Sequence, residues 1–247
     1  MITNIRYRHG AAQRSIVWVI GILLSLSFAP AMGDDLPSAS PVMTVQTTDS
    51  TYETTSYEGS APVKVTLDAG VKDLGGYTPI YQWNFYKSGE SETPFLIRYD
   101  ESTEYTFDES GSFTIQLNIS FVMGEDTIDY SQESPFTISI STSKLEIPNA
   151  FSPNGDGQND VFKVKEGHQS ITSFHGYIFS RWGKKIYDWT DINGGWDGTI
   201  GGKDAKDGVY YVIIKAKGAD GKVYNLRRDV NLLRGYESSD KGGTDGN

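Results

Sequence analysis

Cysteine is absent from all 247 residues. That removes disulfide staples, thiolate metal sites, a cysteine nucleophile and a lipid-modified N-terminal cysteine. Histidine is nearly as scarce: His9, His168 and His175 are the three copies. Neither His-Glu-x-x-His nor Gly-x-Ser-x-Gly occurs, and no glycine-rich loop leads into a helical pattern that could cradle phosphate. Paired carboxylates could still act on glycosides. The acids, however, fall in turns and at outward positions of alternating segments, as on a solvated surface. No enzymatic activity and no cofactor are expected. Beyond the N-terminal segment no apolar run is long enough to cross a bilayer as a helix, so no transmembrane span is expected in the mature chain.

What is present begins with Arg6, Arg8 and Arg14, which precede any acid, and the uncharged run from Ile16 to Phe28. A spanning helix takes about 20 apolar residues. This run is shorter and is followed at once by Ala29, Pro30, Ala31, Met32 and Gly33, the pattern of a signal peptide over residues 1–33. Cleavage is expected after Gly33, with Ala31 at the minus-three position, or alternatively after Ala31; an uncleaved anchor is the competing reading.

The total charge of −10 hides a division. From Asp34 to Thr142 there are 18 acidic and 4 basic residues, net −14; from Ser143 to Asn247 there are 14 and 15, net +1. An acidic module repels phosphate backbones and the second part has only scattered basic pairs, so nucleic acid is excluded as a partner. Acidity of this kind keeps an exported domain soluble.

Residues 34–41 are polar and hold Pro37 and Pro41, a leader before the first strand. After it, Val63, Val65 and Leu67 alternate with Lys64 and Thr66. Phe113, Ile115, Leu117 and Ile119 alternate with polar residues, as do Phe136, Ile138 and Ile140. A period of two marks half-buried strands. With further candidates at Ile80–Phe85, Phe95–Arg98, Glu104–Phe107 and Thr127–Tyr130, about seven short strands punctuated by Gly-rich turns favour a β-sandwich over residues 42–142. The segments Ala61-Pro62-Val63-Lys64-Val65, Tyr81-Gln82-Trp83-Asn84-Phe85 and Tyr105-Thr106-Phe107 with Ser110-Gly111-Ser112-Phe113 resemble PKD-like and other immunoglobulin-like surface modules. The chain departs from the PKD pattern after the tryptophan strand, where Tyr86-Lys87-Ser88-Gly89-Glu90 replaces a Gly-Asp-Gly turn. The resemblance implies a spacer or binding module. Trp83 could serve as a sugar-stacking platform, but its place inside a strand favours the core; Tyr77, Tyr81, Tyr86 and Tyr99 are better placed for exposure.

A polar linker, Ser141-Thr142-Ser143-Lys144, separates this pattern from a more distinctive one. Leu145 to Asp160 carries Pro148, Asn149, Phe151, Pro153, Asn154, Gly155, Asp156, Gly157 and Asp160. There follow Arg181-Trp182-Gly183 after Phe179-Ser180, then Gly195-Trp196-Asp197-Gly198, then Gly208 and Tyr210 in Asp207-Gly208-Val209-Tyr210-Tyr211, and last Val230-Asn231-Leu232-Leu233-Arg234. In this order the segments resemble the gliding motility-associated C-terminal domain, the type B sorting domain of type IX secretion substrates, over about residues 145–234 of a domain placed at 143–234. The resemblance implies a route: the Sec translocon, then the outer-membrane type IX machinery and a dedicated outer-membrane partner protein. Cargo would reach the outer face of the outer membrane or the medium by way of the periplasm. The tail of residues 235–247 departs from the family, whose domains stop close to the Leu-Arg pair.

Read without the family, Pro148 and Pro153 hold the chain extended, while Gly155 and Gly157 permit positive φ in a short loop. Tyr210, Val212, Ile214 and Ala216 would line one sheet face, and Trp182, Trp189 and Trp196 would cap the core. Asn154, Asp156 and Asp160 space oxygen ligands as some calcium loops do. Asn159 stands where an EF-hand needs glycine, no glutamate closes the loop, and the same residues cap turns through their own backbone. Both readings stay open. The whole chain is thus expected to be all-β, with two tandem β-sandwich-like domains after a signal peptide. It is read as an exported adhesion or interaction module with a surface protein or glycan as ligand, or alternatively as a structural spacer or assembly subunit.

Overall fold

Strands make up the regular structure of the chain, and no helix occurs among the described residues. The structure is a computed structural model that describes residues 6–7, 36–89 and 93–235. The expected cleavage site at Gly33 and residues 236–247 of the tail lie outside them. The described residues fall into two compact units. One is drawn from Met1–Tyr57, Lys64–Tyr105 and Ser112–Ile138, the other from Glu58–Val63, Thr106–Gly111 and Ser139–Asn247.

The sandwich is built on the 13-residue strand Gly111–Met123. One of its edges pairs antiparallel with Thr78–Lys87 from Phe113↔Lys87 to Val122↔Thr78. Its other edge pairs with Asp126–Ser131 over Asn118–Met123, which leaves the end near Gly111 for Phe136–Ile140, its other neighbour in the sheet. Leu96–Arg98 and Ser56–Gly59 extend this sheet outward, and Arg6–Tyr7 pairs with Asp129 and Ile128. The second sheet orders Ser102–Phe107, Val63–Asp68, Val42–Gln46 and Thr51–Glu53. Alternation decides what each face buries. Val63, Val65, Leu67, Ile115, Leu117, Ile119, Ile138, Trp83 and Phe85 are buried, each at most 1% exposed. Trp83 is therefore packing, with its indole N–H donated to the Asp100 carbonyl at 3.1 Å. Tyr99, by contrast, is exposed.

Part of the expected leader is folded: Ser38–Ala39 pairs with Val71–Lys72, and the Ser40 N–H donates to the Gly70 carbonyl at 3.1 Å. Gly70 has φ +57°, and a Cβ there would run into the Ser40 carbonyl oxygen. Only glycine fits that approach.

In the C-terminal unit a five-stranded sheet runs in the order Ala150–Phe151, Val223–Leu232, Gly208–Gly218, Ile171–Phe179, Lys185–Trp189. The first pairing is parallel and the others antiparallel. Tyr210, Val212, Ile214 and Ala216 are buried on its inner face, while Tyr211, Lys215 and Lys217 face outward. The inner face is closed by Leu145, Ile147, Phe162, Val164, Trp196 and Ala205, carried on loops and two ribbons, together with Phe151 and Trp189 of the sheet's own edge strands. These ribbons are Phe162–Lys163 with Gly195–Trp196 and Thr199–Ile200 with Lys203–Asp204. The expected cap of three tryptophans is corrected to two. Trp189 and Trp196 are buried, but Trp182 is 81% exposed, because the turn between Ser180 and Lys184 carries it beyond the end of the sheet. Gly176 lies opposite Trp189 across the strands, where a Cβ would fall inside the indole.

Candidate sorting site in the C-terminal unit

The ends of a loop-covered sheet hold backbone carbonyls without a ladder to join, and each needs a donor when buried. Arg234, just past the last strand, supplies three. Its Nη1 donates to the Pro153 carbonyl at 2.7 Å, Nη2 to the Gly198 carbonyl at 2.7 Å, and Nε to the Ala205 carbonyl at 3.4 Å. Its backbone N–H donates to the Asp207 carboxylate at 3.1 Å, and Nη2 lies 3.4 Å from Asp204 Oδ1. One guanidinium fork thus reaches carbonyls that lie 29 to 81 positions before it in the sequence, a task its planar geometry suits.

Around this tie the aromatic motif residues converge. Trp196 lies 5.3 Å from Phe151 and 4.9 Å from Tyr210 between ring centroids, and Phe151 lies 6.0 Å from Phe162. The Trp196 indole donates to the Thr199 carbonyl at 2.8 Å and the Tyr210 hydroxyl to the Lys206 carbonyl at 2.8 Å. Burial pushes the Tyr210 hydroxyl pKa up; Arg234 acts against this and Asp207 with it. Asp197 accepts the N–H of Thr199 at 2.9 Å and its hydroxyl at 2.8 Å. Gly198 has φ +78°, and a Cβ on it would stand 2.8 Å from Pro153 and 3.2 Å from Arg234. Pro148 is half-buried. The Asn149 carbonyl accepts the N–H of Asn231 at 2.9 Å and the Phe151 carbonyl that of Leu233 at 3.1 Å, so the first motif is zipped to the last.

The Asn154–Asp160 loop is closed by its own side chains. Asp160 accepts the N–H of Gly155 at 2.7 Å and of Gly157 at 2.8 Å, Asn154 that of Asp156 at 3.1 Å, and Asp156 that of Gln158 at 2.7 Å. The oxygens singled out as calcium candidates are turn acceptors here. Among the described residues no group of three or more acidic, histidine or cysteine side chains is arranged to hold a metal. Beside the loop lies a groove of about 730 Å³ lined by Pro148, Phe151, Asp160, Lys163, Lys165, Glu166 and Asn193 among others.

Gly208 opens the strand leading to Tyr210. Arg181, Trp182 and Gly183 stand apart from this cluster at an exposed hairpin tip. Several contacts had no signal in the sequence. Asp220 accepts the Ser143 N–H at 3.0 Å and its hydroxyl at 2.7 Å, and Ser143 bonds Tyr224 at 2.9 Å. The Ser143 hydroxyl holds the Asp220 carboxyl below the usual carboxylate range. His168 bonds Asn193 at 3.3 Å. His175 bonds Asp188 at 3.1 Å and the Tyr177 hydroxyl at 2.9 Å. Lys185, then His175, holds the Asp188 carboxyl low.

Residues 145–226 match the family model CHU_C, described as a type IX secretion signal domain. The match begins at buried Leu145 and takes in the segments around Asp160, Trp182, Trp196 and Tyr210. A signal domain of this kind implies export to the cell surface or secretion, and an interaction with the type IX machinery. The strand Val223–Leu232 runs past the end of the matched signal domain, and Arg234 beyond it ties the fold together. No curated protein matches the chain. No helix among the described residues is long and apolar enough to cross a membrane.

Proposed function

We propose that the chain is a non-catalytic cargo of type IX secretion. Its N-terminal signal engages the Sec translocon, the C-terminal unit is read in the periplasm as a folded type B sorting domain together with a dedicated outer-membrane partner protein, and the acidic PKD-like sandwich works outside the cell as an adhesion or interaction module. The observation that carries this reading is the match of residues 145–226 to a type IX signal domain, on a unit where the motif residues other than Arg181, Trp182 and Gly183 gather around Arg234 and Trp196. The Arg234 bonds to the Pro153, Gly198 and Ala205 carbonyls join the segments that carry these motifs.

The test is a reporter bearing residues 1–33 and Leu145–Asn247, expressed with and without the type IX machinery and fractionated into periplasm, surface and medium. Machinery-dependent arrival outside the cell is expected. Retention in the periplasm in both hosts would overturn the sorting role.

For the sandwich, a structural spacer or assembly subunit is the second reading. What favours it over a glycan-binding module is the packing of the aromatics. Phe95, itself 43% exposed, meets Phe85, Tyr105 and Phe113 edge-on at interplanar angles of 61–65°, whereas a sugar platform presents a flat ring face free of such packing. A glycan array probed with the purified sandwich decides between them; specific binding would restore the glycan reading.

A further inference from the structure

The hairpin tip between Ile171–Phe179 and Lys185–Trp189 contributes nothing to the core, yet it carries Trp182, 81% exposed. The turn beneath it is rigid. The Ser180 N–H donates to the Lys184 carbonyl at 2.9 Å, the Gly183 N–H to the Ser180 carbonyl at 2.9 Å, and Gly183 sits at φ +78°. The Arg181 guanidinium lies 4.7 Å over the Trp182 ring, a cation–π contact that favours this placement of the indole. Arg181 and Lys184 give the tip two cations, while Lys185 beside them is paired with Asp188 at 2.9 Å. Below the tip, Lys185, Phe179 and Tyr211 are cross-strand neighbours on the outer sheet face, and Tyr211 is 44% exposed. Single exposed apolar residues are ordinary. A preorganised tryptophan with a stacked arginine, adjoining an aromatic row, has instead the composition of an interface anchor.

We propose that this tip is the docking element by which the C-terminal unit is captured: Trp182 enters an apolar slot on a protein of the export machinery, and Arg181 and Lys184 face an acidic rim around it. This rests on the sorting role of the C-terminal unit. Charge complementarity sets the rim, and the cross-strand pair Phe179 and Tyr211 gives the slot's wall a surface to lie against. An anionic bilayer would use the cations and one ring only, which make a transient contact; the aromatic row favours a protein.

The test uses the full chain in a type IX-competent host and reads the fraction outside the cell for five forms: wild type, truncation after Thr142, Trp182→Ala, Trp182→Phe, and Arg181→Glu with Lys184→Glu. Truncation should abolish export. Trp182→Ala and the charge reversal should each lower the exported fraction at least tenfold with unchanged melting temperature, and Trp182→Phe should recover most of it. If truncation abolishes export but Trp182→Ala leaves normally, the docking proposal is overturned while the sorting role stands. If the truncated chain is exported normally, the sorting role itself fails and the docking proposal with it. Purified protein is also sedimented with phosphatidylglycerol vesicles at physiological salt. No binding supports the protein slot, whereas binding lost in Trp182→Ala assigns the tip to a bilayer and overturns it.

Discussion

The sandwich and the C-terminal sheet solve the same problem in different ways. In the sandwich two sheets bury each other's apolar faces, and the ten-pair register between Thr78–Lys87 and Gly111–Met123 satisfies the backbone along its length. The C-terminal unit has one long sheet, so loops and two-residue ribbons must cover its inner face. Loops bring carbonyls without ladder partners, and side chains supply the missing donors: Arg234, Trp196 and Tyr210 each bond a carbonyl. The difference teaches that a small sheet covered by loops depends on a few specific polar residues, whereas a two-sheet core depends on pattern.

That contrast can be broken at several points. Trp83→Ala and Trp196→Ala should each cost about 3–5 kcal/mol, since both remove a fully buried indole. Denaturant unfolding of the mature protein measures this, and equal, small losses would mean that neither core is close-packed. Arg234→Ala should cost about 2–3 kcal/mol by leaving three carbonyls without their charged donor, whereas outward Lys64→Ala, whose Glu104 ion pair is exposed at both ends, should cost less than about 1 kcal/mol. Equal effects would erase the distinction between stitch and pattern. Gly198→Ala should lose about 1–3 kcal/mol through its positive φ and the approach of Pro153.

Acid should act on the C-terminal unit through Asp220. Its folded pKa lies below the ordinary 3.8, so its contribution is present above that value and is lost as pH falls through the folded pKa. Melting curves between neutral pH and pH 2 should show Asp220→Asn narrowing the acid sensitivity, by less than about 1 kcal/mol because the carboxylate is solvent-exposed. An unchanged acid profile would remove Asp220 from that role. Trp182→Ala should change stability by no more than about 0.5 kcal/mol, the smallest effect of the set; a larger loss would show the tip to be part of the fold.

Much of the sandwich was legible in advance. Val63, Val65 and Leu67, and Phe113 through Ile119, alternate in the sequence as they do in burial, because side chains on a strand change face at every step. The segment before Val42 was harder to read: Ser38–Ala39 is polar and short, and only its partner Val71–Lys72 makes it a strand.

In the C-terminal unit the motif order was visible, but not what each residue does. The amino-acid sequence by itself determined the all-β class, the alternating faces of the long strands and the family of residues 145–226, because these depend on local period and on the order of short segments. Only the tertiary structure decided that Arg234 gathers Pro153, Gly198 and Ala205, that Trp196 is core and that Trp182 points to solvent. Those outcomes depend on which distant carbonyls are left without partners and on where a turn ends relative to the sheet. Neither quantity is written in any one stretch of chain.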